Sequence, residues 1–158
     1  SAAVRELGLR LKNDFKDRDP LFVCIMNGSF MFASELMYTI DEEWEVAFAR
    51  YKSYEGTQST GRLQELLPVT QDLKGRVVVI VEDLIDTGYT VYCLKKLFLE
   101  QGAAEVHIAA MLRKPEAVSC DVDTDYVAMD IENKFILGHG LDYDEYGRMY
   151  KDIYQLKD

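Results

Sequence analysis

Residues 77–90 read "VVVIVEDLIDTGYT": a β-branched run ends in two adjacent acids, Glu82 and Asp83, meets a third at Asp86, and passes directly into Thr87-Gly88-Tyr89-Thr90. The two halves suit different ligand groups. A Gly/Thr turn that opens a helix offers backbone N–H groups, hydroxyls and the positive end of the helix dipole, which together hold an anion such as phosphate. Carboxylates repel phosphate, yet they accept hydrogen bonds from sugar hydroxyls and hold Mg²⁺ through oxygen. A ligand carrying both a phosphate and a diol, as a ribose 5-phosphate group does, reconciles them. Taken alone, acids after a strand more often solvate a loop and cap a helix, so this reading needs the rest of the chain. Neither GxxxxGK[ST] nor GxGxxG occurs, which argues against an NTPase or a dinucleotide binder.

The flanking sequence predicts the elements that position these residues. The run 77–81 is apolar throughout and suits a strand covered on both faces, leaving Glu82 and Asp83 at its carboxyl edge, where open α/β sheets bind ligands. Val91, Leu94, Leu97 and Phe98 then form one stripe of a helix over 90–101, stopped by Gly102. Upstream, Val4, Leu7, Leu11 and Phe15 mark an amphipathic helix over 3–15, "LFVCIM" (21–26) a strand, Asn27-Gly28-Ser29 a tight loop, and 30–40 a second helix. Residues 44–54 alternate as a half-buried strand, 55–61 form a small polar excursion, and short strands are expected near 63–67, at 106–112 and at 126–131. Strands alternating with helices predict an α/β fold with an open, mainly parallel sheet.

The bulk composition narrows the class. A chain of 158 residues that is 48% hydrophobic suits one domain, 1–158. Its net charge of −10 and the lack of a Lys/Arg-rich block argue against nucleic acid as a partner. No stretch has the ~20 apolar residues of a membrane span, and Cys24, Cys93 and Cys120 lack metal or disulfide spacing, so a cytoplasmic protein with buried thiols is expected. His107 and His139 have no metal-ligand spacing and receive no catalytic role.

The string E-D-L-I-D-T-G-Y-T closely resembles the phosphoribosyl-diphosphate signature of the type I phosphoribosyltransferases, a hydrophobic run followed by E-D-x-x-D-[TS]-G-x-T. The resemblance extends over 21–150, toward the members that act on hypoxanthine and guanine. It implies a Rossmann-like sheet flanked by helices, with a small hood formed by the terminal segments. "IMNGSFMF" (25–32) resembles the family's diphosphate loop, in which an often cis non-proline peptide, here Met26–Asn27, turns backbone N–H groups toward diphosphate. Asn27 stands where the family usually has Lys, so contact there falls to Asn27 and Gly28 through the backbone. "KSYEGTQSTG" (52–61) resembles the mobile catalytic loop, about 53–64, with its Ser53-Tyr54 pair. Lys114, in Leu112-Arg113-Lys114-Pro115, matches the lysine that reads the purine 6-oxo group. In the block 125–150, Phe135 matches the residue stacked on the purine and Ile136 the backbone that reads its edge. Asp142 there faces a second metal or the guanine amine, and Arg148 the diphosphate.

The same resemblance implies a reaction. Mg²⁺ accompanies phosphoribosyl diphosphate, and 5-phosphoribose moves to N9 of hypoxanthine or guanine, giving IMP or GMP and diphosphate. Glu82 and Asp83 serve as catalytic acids on the ribose hydroxyls and as metal ligands with Asp142. Asp86 acts near purine N7, and Leu84 through Thr90 (Leu84, Ile85, Asp86, Thr87, Gly88, Tyr89, Thr90) cradle the 5-phosphate. A homodimer or homotetramer is the family habit. The competing readings are a salvage enzyme preferring xanthine and a nucleotide-sensing regulator of the same fold.

Overall fold

The structure is a computed structural model, which describes residues 2–53 and 63–157. The predicted alternation is present. Helix α1 (Ala2–Asp14) precedes β1 (Leu21–Ile25), α2 (Phe30–Ile40) and β2 (Glu45–Ser53); β3 (Leu63–Leu67) and β4 (Val77–Ile85) lead to α3 (Tyr89–Glu100), followed by β5 (Glu105–Arg113) and β6 (Tyr126–Asp130). These form one six-stranded sheet in the order β3-β2-β1-β4-β5-β6, parallel except where β3 pairs antiparallel with β2.

Pleat alternation divides the core in two. Phe22, Cys24, Val79, Val81 and Met111 face α1 and α2, meeting Leu7, Leu11, Phe32 and Leu36. Leu21, Val23, Val78, Ile80 and Ile108 face α3, meeting Leu94 and Phe98. Burying both faces explains why β1 and β4 read as continuous apolar runs. In β2 the buried side is Ala47, Ala49 and Tyr51, while Phe48 is exposed.

One boundary differs from expectation. Strand β4 continues to Ile85, so Glu82 and Asp83 lie inside the strand rather than after it. Parallel pairing with β5 persists through Glu82↔Ala110 and Leu84↔Leu112. A neighbour's ladder holds polar residues extended where hydrophobicity alone signals an end.

A short sheet of β7 (Ile136–Leu137) and β8 (Tyr154–Gln155) forms a second layer. Among the described residues this hood comes from the C-terminal segment, whereas the N-terminal segment is α1, packed on α2 and β6. The His139 ring joins the hood to α2, with Nδ1 on the Lys151 carbonyl at 2.7 Å and Nε2 on Glu35. No helix of the described residues is long and apolar enough to cross a membrane.

The order of connections decides where a ligand can sit. From β1 the chain crosses through α2 to β2 on one side, and from β4 it crosses through α3 to β5 on the other. Strand order therefore reverses between β1 and β4, which opens a crevice beyond their carboxyl ends.

Candidate active site

That crevice is a cavity of about 330 Å³. Glu82, Asp83 and Asp86 line it from β4 and its exit, Thr87 to Thr90 from the turn into α3, Gly28 from the loop after β1, and Asp142 and Arg148 from the hood.

Each wall is fixed by local bonding. In the β1–α2 loop the Met26–Asn27 peptide is cis, as the resemblance implied. The loop is closed by Ser29, whose buried hydroxyl donates to the Ile25 carbonyl at 2.6 Å, and by the Phe30 N–H on the Asn27 carbonyl at 3.2 Å. Gly28 lets the Asp83 carboxylate lie against the loop, because a Cβ there would overlap it and force that carboxylate to move. The Asn27 side chain is exposed and does not line the cavity. The turn before α3 is set by Gly88 at φ +86°, and the Tyr89 N–H donates to Thr87 Oγ1 at 3.2 Å. Gly88 at the N-cap has no side chain to bond the helix start, so apart from the Tyr89 N–H held by Thr87 the first turn of α3 faces the crevice as an anion site.

The charges are unevenly matched. Among the described residues, the buried polar or charged side chains are Ser29, Glu82 and Lys114, all at this end of the sheet. Burial, reinforced by the neighbouring Asp83 carboxylate, pushes Glu82 well above the usual carboxylate range. Lys114 is only 5% exposed and directs Nζ to Asp86 Oδ2 at 3.4 Å. Its backbone N–H donates to the Ile85 carbonyl at 2.9 Å, tying Lys114 to the acidic strand. Arg148 Nη1 donates to the Gly140 carbonyl at 2.8 Å and Nη2 lies 3.4 Å from Asp142 Oδ1.

Among the described residues no three His, Cys, Asp or Glu side chains converge closely enough to hold a metal by themselves. Glu82, Asp83 and Asp142 are nonetheless hard oxygen donors on one cavity, and Mg²⁺ characteristically takes one or two carboxylates and completes its shell with water and substrate phosphate. The residues fit such an ion only in company with a phosphorylated ligand.

Other expected residues stand further out. Phe135 is 53% exposed, edge-to-face with Tyr143 at 5.7 Å, and neither it nor Ile136 lines the cavity. Ile136 instead opens β7 and packs against the α1/α2-side core. Ser53 reaches the phosphate turn, its Oγ 3.4 Å from Thr90 Oγ1. Tyr54 and most of the expected catalytic loop lie outside the described residues. Sequence reasoning missed the backing of the phosphate turn. The Thr87 carbonyl accepts from the Ser119 and Cys120 N–H groups at 2.9 and 3.3 Å, and Val118 and Val122 pack behind Gly88. It also missed Tyr51 and Leu141 as lining residues. Tyr51 lies on β2, where period-2 alternation carried a hint, but no local pattern marks 117–122.

Residues 1–144 match the phosphoribosyl transferase domain family. The chain belongs to the phosphoribosyltransferase family. It is 42% identical to a hypoxanthine-guanine phosphoribosyltransferase of Streptococcus pneumoniae over 99% of this chain and 87% of that one. A Streptococcus thermophilus protein of the same name is 41% identical over 90% of this chain and 79% of its own. Among solved structures, the Bacillus anthracis hypoxanthine-guanine phosphoribosyltransferase superposes with a TM-score of 0.93 at 30% identity, covering 99% of this chain and 92% of that one. The phosphoribosyltransferase fold expected from the signature is the fold observed, down to the crevice at the β1/β4 reversal.

Proposed function

We propose that this protein is a purine-salvage enzyme that transfers 5-phosphoribose from phosphoribosyl diphosphate to N9 of hypoxanthine or guanine, releasing IMP or GMP and diphosphate. The observation that carries the reading is the joining, in one crevice, of the start of α3 with Glu82, Asp83 and Asp86, the last of which also meets the buried Lys114 from outside the cavity lining. Relatives more than 40% identical bear the name of that activity.

The anomeric carbon loses diphosphate ahead of its bond to the base, so positive charge builds on the ribose, as in glycoside cleavage. Glu82 and Asp83 hold the 2- and 3-hydroxyls and lay negative charge beneath that carbon. Asp86 accepts a proton at the purine N7 side, and Lys114, beside it, donates to the 6-oxo oxygen. Thr87, Gly88, Tyr89 and Thr90, with the backbone of Leu84 and Ile85 behind them, seat the 5-phosphate. Asn27 and Gly28 offer backbone N–H groups to the diphosphate and Arg148 a cation. Phe135 stacks on the base, and the Ile136 backbone and Asp142 read its edge. Glu82, Asp83 and Asp142 would hold Mg²⁺ together with the substrate, and the ion when bound would neutralise charge on the diphosphate. Ser53 opens the segment that the resemblance assigns as the catalytic loop.

The whole chain acts as one catalytic domain. A cytoplasmic setting is supported by the three free cysteines, of which burial pushes the Cys24 thiol up to about 12. A homodimer or homotetramer is supported by the exposed Phe30, Tyr38 and Phe48. The test is nucleotide formation from phosphoribosyl diphosphate and Mg²⁺ with hypoxanthine, guanine, xanthine, adenine and uracil in separate reactions. IMP and GMP are the expected products. Folded protein that makes no nucleotide from any base overturns the assignment.

A further inference from the structure

The sheet edge beyond the crevice holds a charge pair that the reaction itself does not use. Arg113 closes β5 and Asp130 closes β6, and the two are direct register partners. Arg113 Nε donates to Asp130 Oδ1 at 2.7 Å and Nη2 to Oδ2 at 3.0 Å, while Nη1 donates to Thr124 Oγ1 at 2.7 Å. All three guanidinium nitrogens are engaged, in the planar fork that gives geometric definition rather than mere attraction. The pair is 30% and 48% exposed, and exposed ion pairs contribute little to global stability. What it fixes is position.

Both strands leave the sheet at this point. The residue after Arg113 is Lys114, buried and aimed at Asp86. The residue after Asp130 is Ile131, whose N–H donates to the Arg113 carbonyl at 2.8 Å and which begins the short path to Phe135. The fork therefore joins the roots of two walls of the base pocket. We propose that Arg113 and Asp130 are positioning residues for the purine, setting the distance between Lys114 and the segment that carries Phe135. This rests on the phosphoribosyl-transfer reading and adds to it residues that touch no substrate.

The prediction is a split between substrates. Arg113→Ala raises KM for hypoxanthine and guanine about tenfold, the scale of a misplaced contact. KM for phosphoribosyl diphosphate stays within about twofold, because the phosphate turn and the diphosphate loop hang on other bonds. Arg113→Lys keeps the charge, loses the fork, and gives the same rise. Exchanging the pair, Arg113→Asp with Asp130→Arg, recovers part of the loss. Asp130→Asn serves in place of any Arg113 variant that does not fold and raises the same KM. Equal rises in both KM values, unchanged purine KM, or full rescue by lysine overturn the positioning role. A wild-type protein that forms no nucleotide overturns the phosphoribosyl-transfer reading, and this inference with it.

Discussion

The two ends of the central sheet both collect charge, and they treat it in opposite ways. At the amino end, His107 of β5 lies between Asp125 and Glu105, with Nδ1 at 3.3 Å and Nε2 at 3.1 Å from their carboxylates. Arg18 pairs with Glu105, Arg10 donates to the Asp125 carbonyl and covers the Tyr126 ring, and the Tyr126 hydroxyl donates to Asp14 at 2.9 Å. Acids there meet cations or donors. At the carboxyl end, Glu82, Asp83, Asp86 and Asp142 share one cavity with Arg148, and Lys114 meets Asp86 from outside its lining. Hydrogen bonding to His107 holds Glu105 below the usual carboxylate range, although burial opposes it, whereas burial and Asp83 hold Glu82 above it. A lowered acid gives stability that is present above its unfolded value and lost as pH falls through its folded one. A raised acid keeps its proton in the folded chain, so stability declines as pH rises from the unfolded value through the folded one. One end stabilises the fold; the other holds charge against the fold's interest, ready for a ligand.

The sharpest way to break the carboxyl end is to remove Asp86, the proton acceptor of the proposed reaction. Asp86→Asn, nearly isosteric and about half-exposed, lowers kcat about 10²- to 10⁴-fold, the usual weight of a general base, with little change in melting temperature. Steady-state kinetics with hypoxanthine checks it, and an unchanged kcat removes Asp86 from the chemistry. Next in size, Lys114→Ala raises KM for the purine about 10- to 100-fold, as expected for a charge-assisted hydrogen bond of about 1.5–3 kcal/mol. If KM for phosphoribosyl diphosphate rises instead, the lysine serves the other substrate.

Glu82→Gln tests the cost of holding charge. With EDTA present and no ligand, the variant melts higher than wild type at neutral pH, by roughly 2–4 °C for each kcal/mol released in a chain of this size. The advantage shrinks as pH falls through the ordinary carboxylate range, where wild-type Glu82 carries its proton in both states. Activity falls while stability rises. A variant that melts lower at neutral pH would mean that the buried carboxylate supports the fold after all.

Much of this contrast was legible in the sequence at one end and little at the other. The β-branched run, the acids and the Thr-Gly turn lie within fourteen consecutive residues, 77–90, so local pattern was enough to place them at a strand end and a helix start. The Asp86–Lys114 contact joins residues 28 apart in sequence, and it was not anticipated: the resemblance assigned each residue to the purine but named no contact between them. The extension of β4 through Glu82 and Asp83 was invisible, because pairing with β5 rather than hydrophobicity keeps those residues extended. Of the amino-end cluster only His107 was singled out, and without a role. Its members come from α1, the turn after it, β5 and the approach to β6, and the Asp14–Tyr126 bond spans 112 positions. Nothing in a local window predicts a network assembled by topology.

That network yields the smallest effect and the clearest test of whether the two ends are independent. His107→Ala removes the two hydrogen-bond contacts of the ring with the Asp125 and Glu105 carboxylates, each about 0.5 kcal/mol at the weak end of the usual range, and an edge-to-face contact with Phe15 at 5.1 Å. A melting temperature lower by about 3 °C follows. His107 lies six residues before Arg113 along β5, or about 20 Å at ~3.3 Å per residue, so kcat and both KM values stay within about twofold. The pH dependence identifies the cause. Glu105 is held low first by the His107 hydrogen bond, so its share of the wild-type advantage is present at neutral pH and lost as pH falls through its depressed folded value. Melting curves from neutral to acid pH should therefore converge for wild type and variant, as they do for Glu82→Gln, but here wild type rather than the variant is the more stable at neutral pH. A His107 variant that lost kcat as well as stability would show the strands transmitting strain from one end to the other, and the division between a stabilising end and a working end would then fail.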